Sequence, residues 1–139
     1  MKPQDFIGQW TLSRKVYGRD RRTIGRMWGR VTYKEVADEA LLYEECVWNR
    51  SGEASPLLAR QTYLYLFKET ALEIHREGKE QEIPFFRLPY GETVIDGHYA
   101  CRPDFYKLRW VWVHPGFFYT RYVVTGTRKD YTLETVFRR

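Results

Sequence analysis

At 139 residues, 43% of them hydrophobic, the chain is long enough to bury a core and too apolar to stay disordered. No run approaches the roughly 20 apolar residues of a membrane-spanning helix. The opening MKPQDFIGQW has no signal-peptide core, so a cytoplasmic protein with one domain over residues 1–139 is expected. The formal charge of +5 is mild, and the 5 Trp, 11 Tyr and 8 Phe favour strands around an aromatic core or a lined cavity.

Residues 2–7 have room for a short helical turn. Gln9–Tyr17 then alternates Trp10, Leu12, Arg14 and Val16, which predicts a strand with those side chains on one face. After the polar turn GRDRRT, Gly25–Lys34 is a second strand. Pairing Trp10 with Tyr33 places Leu12 against Val31, Arg14 against Gly29 and Val16 against Met27. The third strand, Ala40–Asn49, fits with Val31 opposite Tyr43 and Gly29 opposite Glu45. Arg14 and Glu45 then flank Gly29 on the inner face, as a structural ion pair or as the polar anchor of a pocket, since an unpaired inward charge is costly.

RSGEASP reads as a loop before Leu57–Phe67, whose Leu58, Thr62, Leu64 and Leu66 share a face. Ala71–Glu77 follows, with Leu72 and Ile74 matched to Leu66 and Leu64, which leaves His75 outside with Tyr63 as a surface histidine. GKEQE is a turn, and Ile83–Leu88 is an edge strand marked by Pro84. In Thr93–Cys101, one register against Phe105–Val113 turns His98 and Asp96 inward. A one-residue slip turns Gly97 and Tyr99 inward instead.

The C-terminal third is the most constrained. His114-Pro115-Gly116 suits a tight hairpin, which sets Trp112 opposite Phe118, Trp110 opposite Thr120, Leu108 opposite Tyr122 and Tyr106 opposite Val124. A second hairpin aligns Tyr122 with Leu133, Val124 with Tyr131 and Phe118 with Phe137. Its other face pairs Arg121 with Glu134. Three consecutive strands thus agree on one interior. With no helical period, internal repeat or linker, about ten strands joined by short turns predict an all-β, antiparallel up-and-down barrel, closed to remove its edges.

Phe6-Ile7-Gly8-Gln9-Trp10 resembles the G-x-W that opens lipocalin-like (calycin) barrels. That resemblance implies that Trp10 closes one end beneath a late arginine, Arg138 or Arg139. The ending Val124-Thr125-Gly126-Thr127-Arg128-Lys129-Asp130-Tyr131, with Phe137-Arg138-Arg139, resembles an uncharacterised family of small lipocalin-like proteins. Members of that family carry V-x-G-P-R-K-D-Y followed by aromatic-Arg-Arg; here Thr127 stands in place of the proline. Leu42-Tyr43-Glu44-Glu45 and the His98–Cys101–Asp104-x-Tyr106 segment extend the likeness. It implies the fold and no activity.

A barrel of this size can hold a small ligand. The candidate binding residues are Arg14, Tyr43, Glu45, His98, Tyr106, Trp110, Trp112, Tyr122 and Tyr131, a mostly aromatic lining with a few polar anchors suited to a small hydrophobic or aromatic molecule. The alternative is an enzyme on a small apolar substrate in the same cavity, with His98 or Glu45 as general base. Haem is a further chemistry for such a barrel, with His98 or His114 as ligand, though no motif supports it. Cys46 and Cys101 lack metal-ligand spacing. Basic residues interleaved with Tyr17, Trp28 and Tyr33 are the feature a single-stranded nucleic-acid binder would use, but the neighbouring acids Glu35, Asp38, Glu39, Glu44 and Glu45 weigh against it.

Overall fold

A computed structural model of the chain describes residues 1–49, 57–79 and 83–139. The loop RSGEASP and the last three residues of GKEQE lie outside them. A short 3-10 turn, Pro3–Asp5, precedes ten strands among the described residues: β1 Gly8–Tyr17, β2 Thr23–Ala37, β3 Ala40–Trp48, β4 Leu57–Phe67, β5 Ala71–Arg76, β6 Phe86–Pro89, β7 Val94–Cys101, β8 Asp104–His114, β9 Phe117–Thr125 and β10 Asp130–Arg138. All pair antiparallel in the order β6-β5-β4-β3-β2-β1-β10-β9-β8-β7, so the first strand joins the last. The result is a nearly closed up-and-down barrel. Only β6 and β7 meet without ladder hydrogen bonds, packing side chain against backbone.

The three C-terminal strands pair as their alternation predicts. Trp110 faces Thr120, Leu108 faces Tyr122, Tyr122 faces Leu133 and Arg121 faces Glu134. Val113 is passed over as an irregularity at the hairpin end, where His114 meets Phe117.

The N-terminal pairings are shifted by two residues from the predicted register. Trp10 faces Val31, Leu12 faces Gly29, Arg14 faces Met27, and Glu45 faces Val31. A shift of two keeps every side chain on its face, so the binary pattern does not report it. Gly29 decides it: a Cβ there would lie 2.9 Å from both Leu12 Cγ and Val47 Cγ1 and 2.5 Å from the Cys46 carbonyl oxygen. The glycine makes room for two aliphatic side chains, not for the Arg14–Glu45 pair.

The β4–β5 pairing is shifted by one, and β7 takes the slipped one of its two registers. In β4 the inner residues are Tyr63, Tyr65 and Phe67, and Tyr65 and Phe67 face Ile74 and Leu72. His75 faces Leu64 and is buried, with Nε2 2.9 Å from Glu73 Oε1. It is not the surface histidine expected. Leucines on one face and aromatics on the other made β4 apolar on both sides, so alternation could not choose. In β7, Gly97 faces Leu108 and His98 faces Lys107, leaving His98 and Asp96 exposed. The seam forces this choice. A Cβ on Gly97 would lie 2.6 Å from Leu88 Cδ2 and 2.9 Å from the Arg87 carbonyl oxygen, so only glycine lets β7 approach β6 there.

One end of the barrel is packed solid. Phe6, fully buried, puts its ring 5.3 Å from Tyr33, 5.7 Å from Phe67, 5.5 Å from Trp110, 5.3 Å from Trp112 and 5.8 Å from Phe118. Trp10 donates from Nε1 to the Phe6 carbonyl oxygen at 2.8 Å. Arg139 lays its guanidinium 4.4 Å from the Trp10 ring centroid and donates to the carbonyl oxygens of Ile7 and Asp5 at 2.7 and 2.9 Å. Of the two arginines expected to cover Trp10, Arg139 is the partner.

Substituting Gly97→Val should lower the free energy of urea unfolding by about 1–3 kcal/mol through overpacking of the seam. The same change at exposed Gly78 would not test it, because there φ is +79° and strain replaces crowding. Unchanged unfolding of Gly97→Val would refute the close approach of β6 and β7.

Candidate functional site

Above the packed end the interior opens into a cavity of about 230 Å³. Its walls are aromatic and aliphatic: Tyr43, Tyr63, Tyr65, Phe85, Phe86, Trp110, Tyr122, Tyr131 and Phe137, with Ile74, Leu108 and Leu133. Its polar lining is Arg14, Glu45, Gln61, Thr120 and Thr135. The inner faces of eight strands supply these groups, together with Phe85, which leads into β6.

The centre of the site is a pair of charges. Arg14 donates from its two Nη atoms to the two carboxylate oxygens of Glu45 at 2.9 and 2.7 Å. Its Nε donates to Thr135 Oγ1 at 2.8 Å, across the direct β1–β10 pairing of Arg14 with Thr135. Tyr43 donates its hydroxyl to Glu45 Oε1. The side chains of Arg14 and Glu45 are 12% and 3% exposed, so the pair sits where a single charge would be intolerable. Burial works against the Arg14 charge, but the hydrogen bonds and charge of Glu45 outweigh it and raise the Arg14 pKa.

Tyrosines surround the pair. Tyr43 and Tyr65 stack at 5.4 Å with planes 7° apart, and Tyr33 meets both edge-on at 5.2 Å. Burial, then the nearness of Glu45, holds the Tyr43 hydroxyl well above the usual phenol range. Burial likewise raises Tyr33, Tyr63, Tyr65 and Tyr122. These rings therefore stay protonated at neutral pH. Toward the mouth, Phe85 is the hub. Its ring lies 6.1 Å from Tyr63, 5.3 Å from Tyr99, 5.8 Å from Tyr106 and 6.4 Å from Tyr122, with the Arg76 guanidinium 5.0 Å from its centroid.

The predicted site residues separate into four groups. Arg14, Tyr43, Glu45, Trp110, Tyr122 and Tyr131 line the cavity. Tyr106 stands beside it, 6.0 Å from Tyr122, with its hydroxyl receiving a hydrogen bond from Lys129 Nζ at 3.1 Å. Trp112 belongs to the packed end, stacked on Phe118 at 5.6 Å. Its place on the inner face was legible, but its height along the barrel was not. His98 is on the outer surface, so no histidine converges with Glu45 on the open volume. His114 is also exposed, stacked on Phe117, and neither haem-ligand candidate reaches the cavity. Among the described residues no group of three His, Cys, Asp or Glu is placed to hold a metal ion. Tyr63, Tyr65 and Phe85 were missed. The first two follow from the shifted β4 face, and Phe85 lies in a segment whose pairing the alternation left open.

Within the basic stretch Lys15, Arg21, Arg26, Trp28 and Arg30 are exposed, while other members are engaged. Arg14 is inside, Arg19 pairs with Asp130 at 2.9 Å, Arg22 pairs with Asp20 at 3.2 Å, and Tyr33 is in the core.

The chain belongs to the DUF6314 family, a family of unknown function. The match spans residues 6–139. Among solved structures, this DUF6314 barrel is similar to the S-type phycobiliprotein lyase CPES from Guillardia theta. The TM-score is 0.74, over 99% of this chain and 89% of that one, at 10% sequence identity. At that identity the likeness is one of fold, an all-β lipocalin-like barrel. No curated protein matches in sequence. Among the described residues, no helix is long and apolar enough to cross a membrane.

Two outcomes follow from the buried groups. Arg14→Met or Glu45→Leu alone strands a charge and should cost about 3–5 kcal/mol in urea unfolding, whereas the double variant should recover most of that loss. Additive losses in the double variant would contradict the coupling. The raised tyrosines set the alkaline limit. Unfolded tyrosines ionise near pH 10, while the buried ones resist. Their stabilising contribution is therefore complete below about pH 10 and is lost as the pH rises beyond it. The part of the tyrosinate absorbance that belongs to the buried rings should appear only together with loss of the near-ultraviolet circular dichroism; complete tyrosine titration with that signal intact would contradict it.

Proposed function

We propose that this DUF6314 protein binds a small, largely apolar aromatic molecule inside its barrel. The observation that carries the reading is the 230 Å³ cavity with aromatic walls and one self-paired charged anchor. Ligand sites are concave and mostly apolar, with few polar groups to fix orientation. Apolar residues alone could have filled the space. A buried ion pair with a hydroxyl on each flank is an expensive lining for a purely structural void.

An enzyme acting on a small apolar substrate in the same cavity is the second reading, favoured by the fold shared with a phycobiliprotein lyase. Against a general-base mechanism, both Glu45 oxygens already accept hydrogen bonds, from three donors in all. Binding is therefore the primary reading.

Native mass spectrometry of the purified protein should detect a bound small molecule, or the protein should take up 1-naphthylamine with a blue-shifted emission. Leu133→Trp places a large ring in the cavity and should abolish uptake while leaving the urea midpoint unchanged or higher. Uptake undiminished in that variant would place binding elsewhere.

A further inference from the structure

We infer that the cavity selects an uncharged, flat aromatic molecule bearing a hydrogen-bond-accepting oxygen, and that Arg14 receives that oxygen on a guanidinium N–H left over by Glu45 and Thr135. This inference rests on the binding reading above and narrows the ligand class.

The donor count comes first. A guanidinium carries five N–H donors and no acceptor. Three are used: Nε on Thr135 and one on each Nη for Glu45. The remaining two lie on opposite edges of the guanidinium, with the Tyr43 hydroxyl close to the group through their shared Glu45 Oε1, and the side chain, only 12% exposed, lines the cavity. Buried donors are nearly always satisfied. Trp110 Nε1 is a further donor on this lining, buried without a partner among the described residues. The cavity therefore offers hydrogen-bond donors and asks for an acceptor.

Charge decides what kind of acceptor. Glu45 already neutralises Arg14 through a two-point contact. A carboxylate ligand on the same guanidinium would place a second negative charge beside Glu45, with Arg14 as the buried positive charge between them and Arg76 only at the exposed mouth. That arrangement leaves a net buried charge, which is strongly disfavoured. A carbonyl or amide oxygen takes one such hydrogen bond without that penalty. A plain hydrocarbon would displace water from the donors and give nothing back.

Size and shape follow from the walls. A cavity of about 150 Å³ holds benzene, so 230 Å³ suits one ring or two fused rings and not an extended chain. The stacked Tyr43 and Tyr65 and the rings of Tyr63, Phe85 and Tyr122 offer flat faces to a flat guest.

The test compares three guests of one shape on the wild-type protein: 1-naphthamide, 1-naphthoate and naphthalene. Affinities come from nuclear magnetic resonance titration, with the Arg14 side-chain N–H signals followed alongside. We expect 1-naphthamide to bind at least about tenfold more tightly than either of the others, the scale of one hydrogen bond to a charged donor. Arg14 signals should move with the amide and not with naphthalene. Naphthoate binding as tightly as the amide, naphthalene matching it, or Arg14 signals unmoved by the amide would each overturn the inference and leave the binding reading standing. Failure of all three guests to bind would remove both.

Discussion

A guanidinium and a carboxylate inside a barrel constrain everything around them. Neither tolerates burial alone, so Arg14 of β1 and Glu45 of β3 must meet over β2. Thr135 adds β10, and Tyr43 supports the carboxylate from two residues away on β3. One polar knot therefore ties four adjacent strands, including the β1–β10 pairing that brings the first strand to the last. A slip of one residue in β1 or β3 would turn a charge outward and leave its partner stranded. The knot also limits packing: hydrocarbon cannot close over charged groups that need specific partners, and the open volume begins where the knot sits.

The two ends of the barrel solve different problems. Below the knot, Phe6, Trp10, Trp110, Trp112, Phe118 and Phe137 pack ring against ring, and Arg139 holds the N-terminal segment by two carbonyl oxygens. The last residue of the chain thus secures the plug formed by the first few. Above the knot the rings are tyrosines and Phe85, looser and partly exposed. Aromatic pairs add about 0.5–1.5 kcal/mol each beyond their buried area, so the dense end is a rigid base on which the cavity stands.

Much of this was legible in the sequence, and the failures share a cause. The strands from Phe105 to Arg139 could be registered because three signals agreed: a Pro-Gly turn, an Arg121–Glu134 pair and an inner face of large rings. Arg14, Tyr43 and Glu45 were placed inside correctly because period two assigns faces. Their neighbours were off by two because period two is blind to a shift of two. Only the volume that Leu12 and Val47 claim at Gly29 breaks that degeneracy, and volume is not visible before the strands are assembled. In β4 the degeneracy was of faces: Leu64 and Leu66 are as apolar as Tyr63 and Tyr65. Phe85 depends on the seam, where the consecutive strands β6 and β7 meet and no ladder bond records the contact.

The seam also changes what the cavity can do. Because Gly97 must face Leu88, His98 must face out, and the inner face loses the histidine that acid–base chemistry would have used. What remains among the described residues is a carboxylate held by Arg14 and Tyr43, and tyrosines kept protonated by burial. Such a lining presents hydrogen-bond donors around a carboxylate whose two oxygens are already engaged. The proposed recognition of a guest therefore rests on shape, charge and the presence of an acceptor.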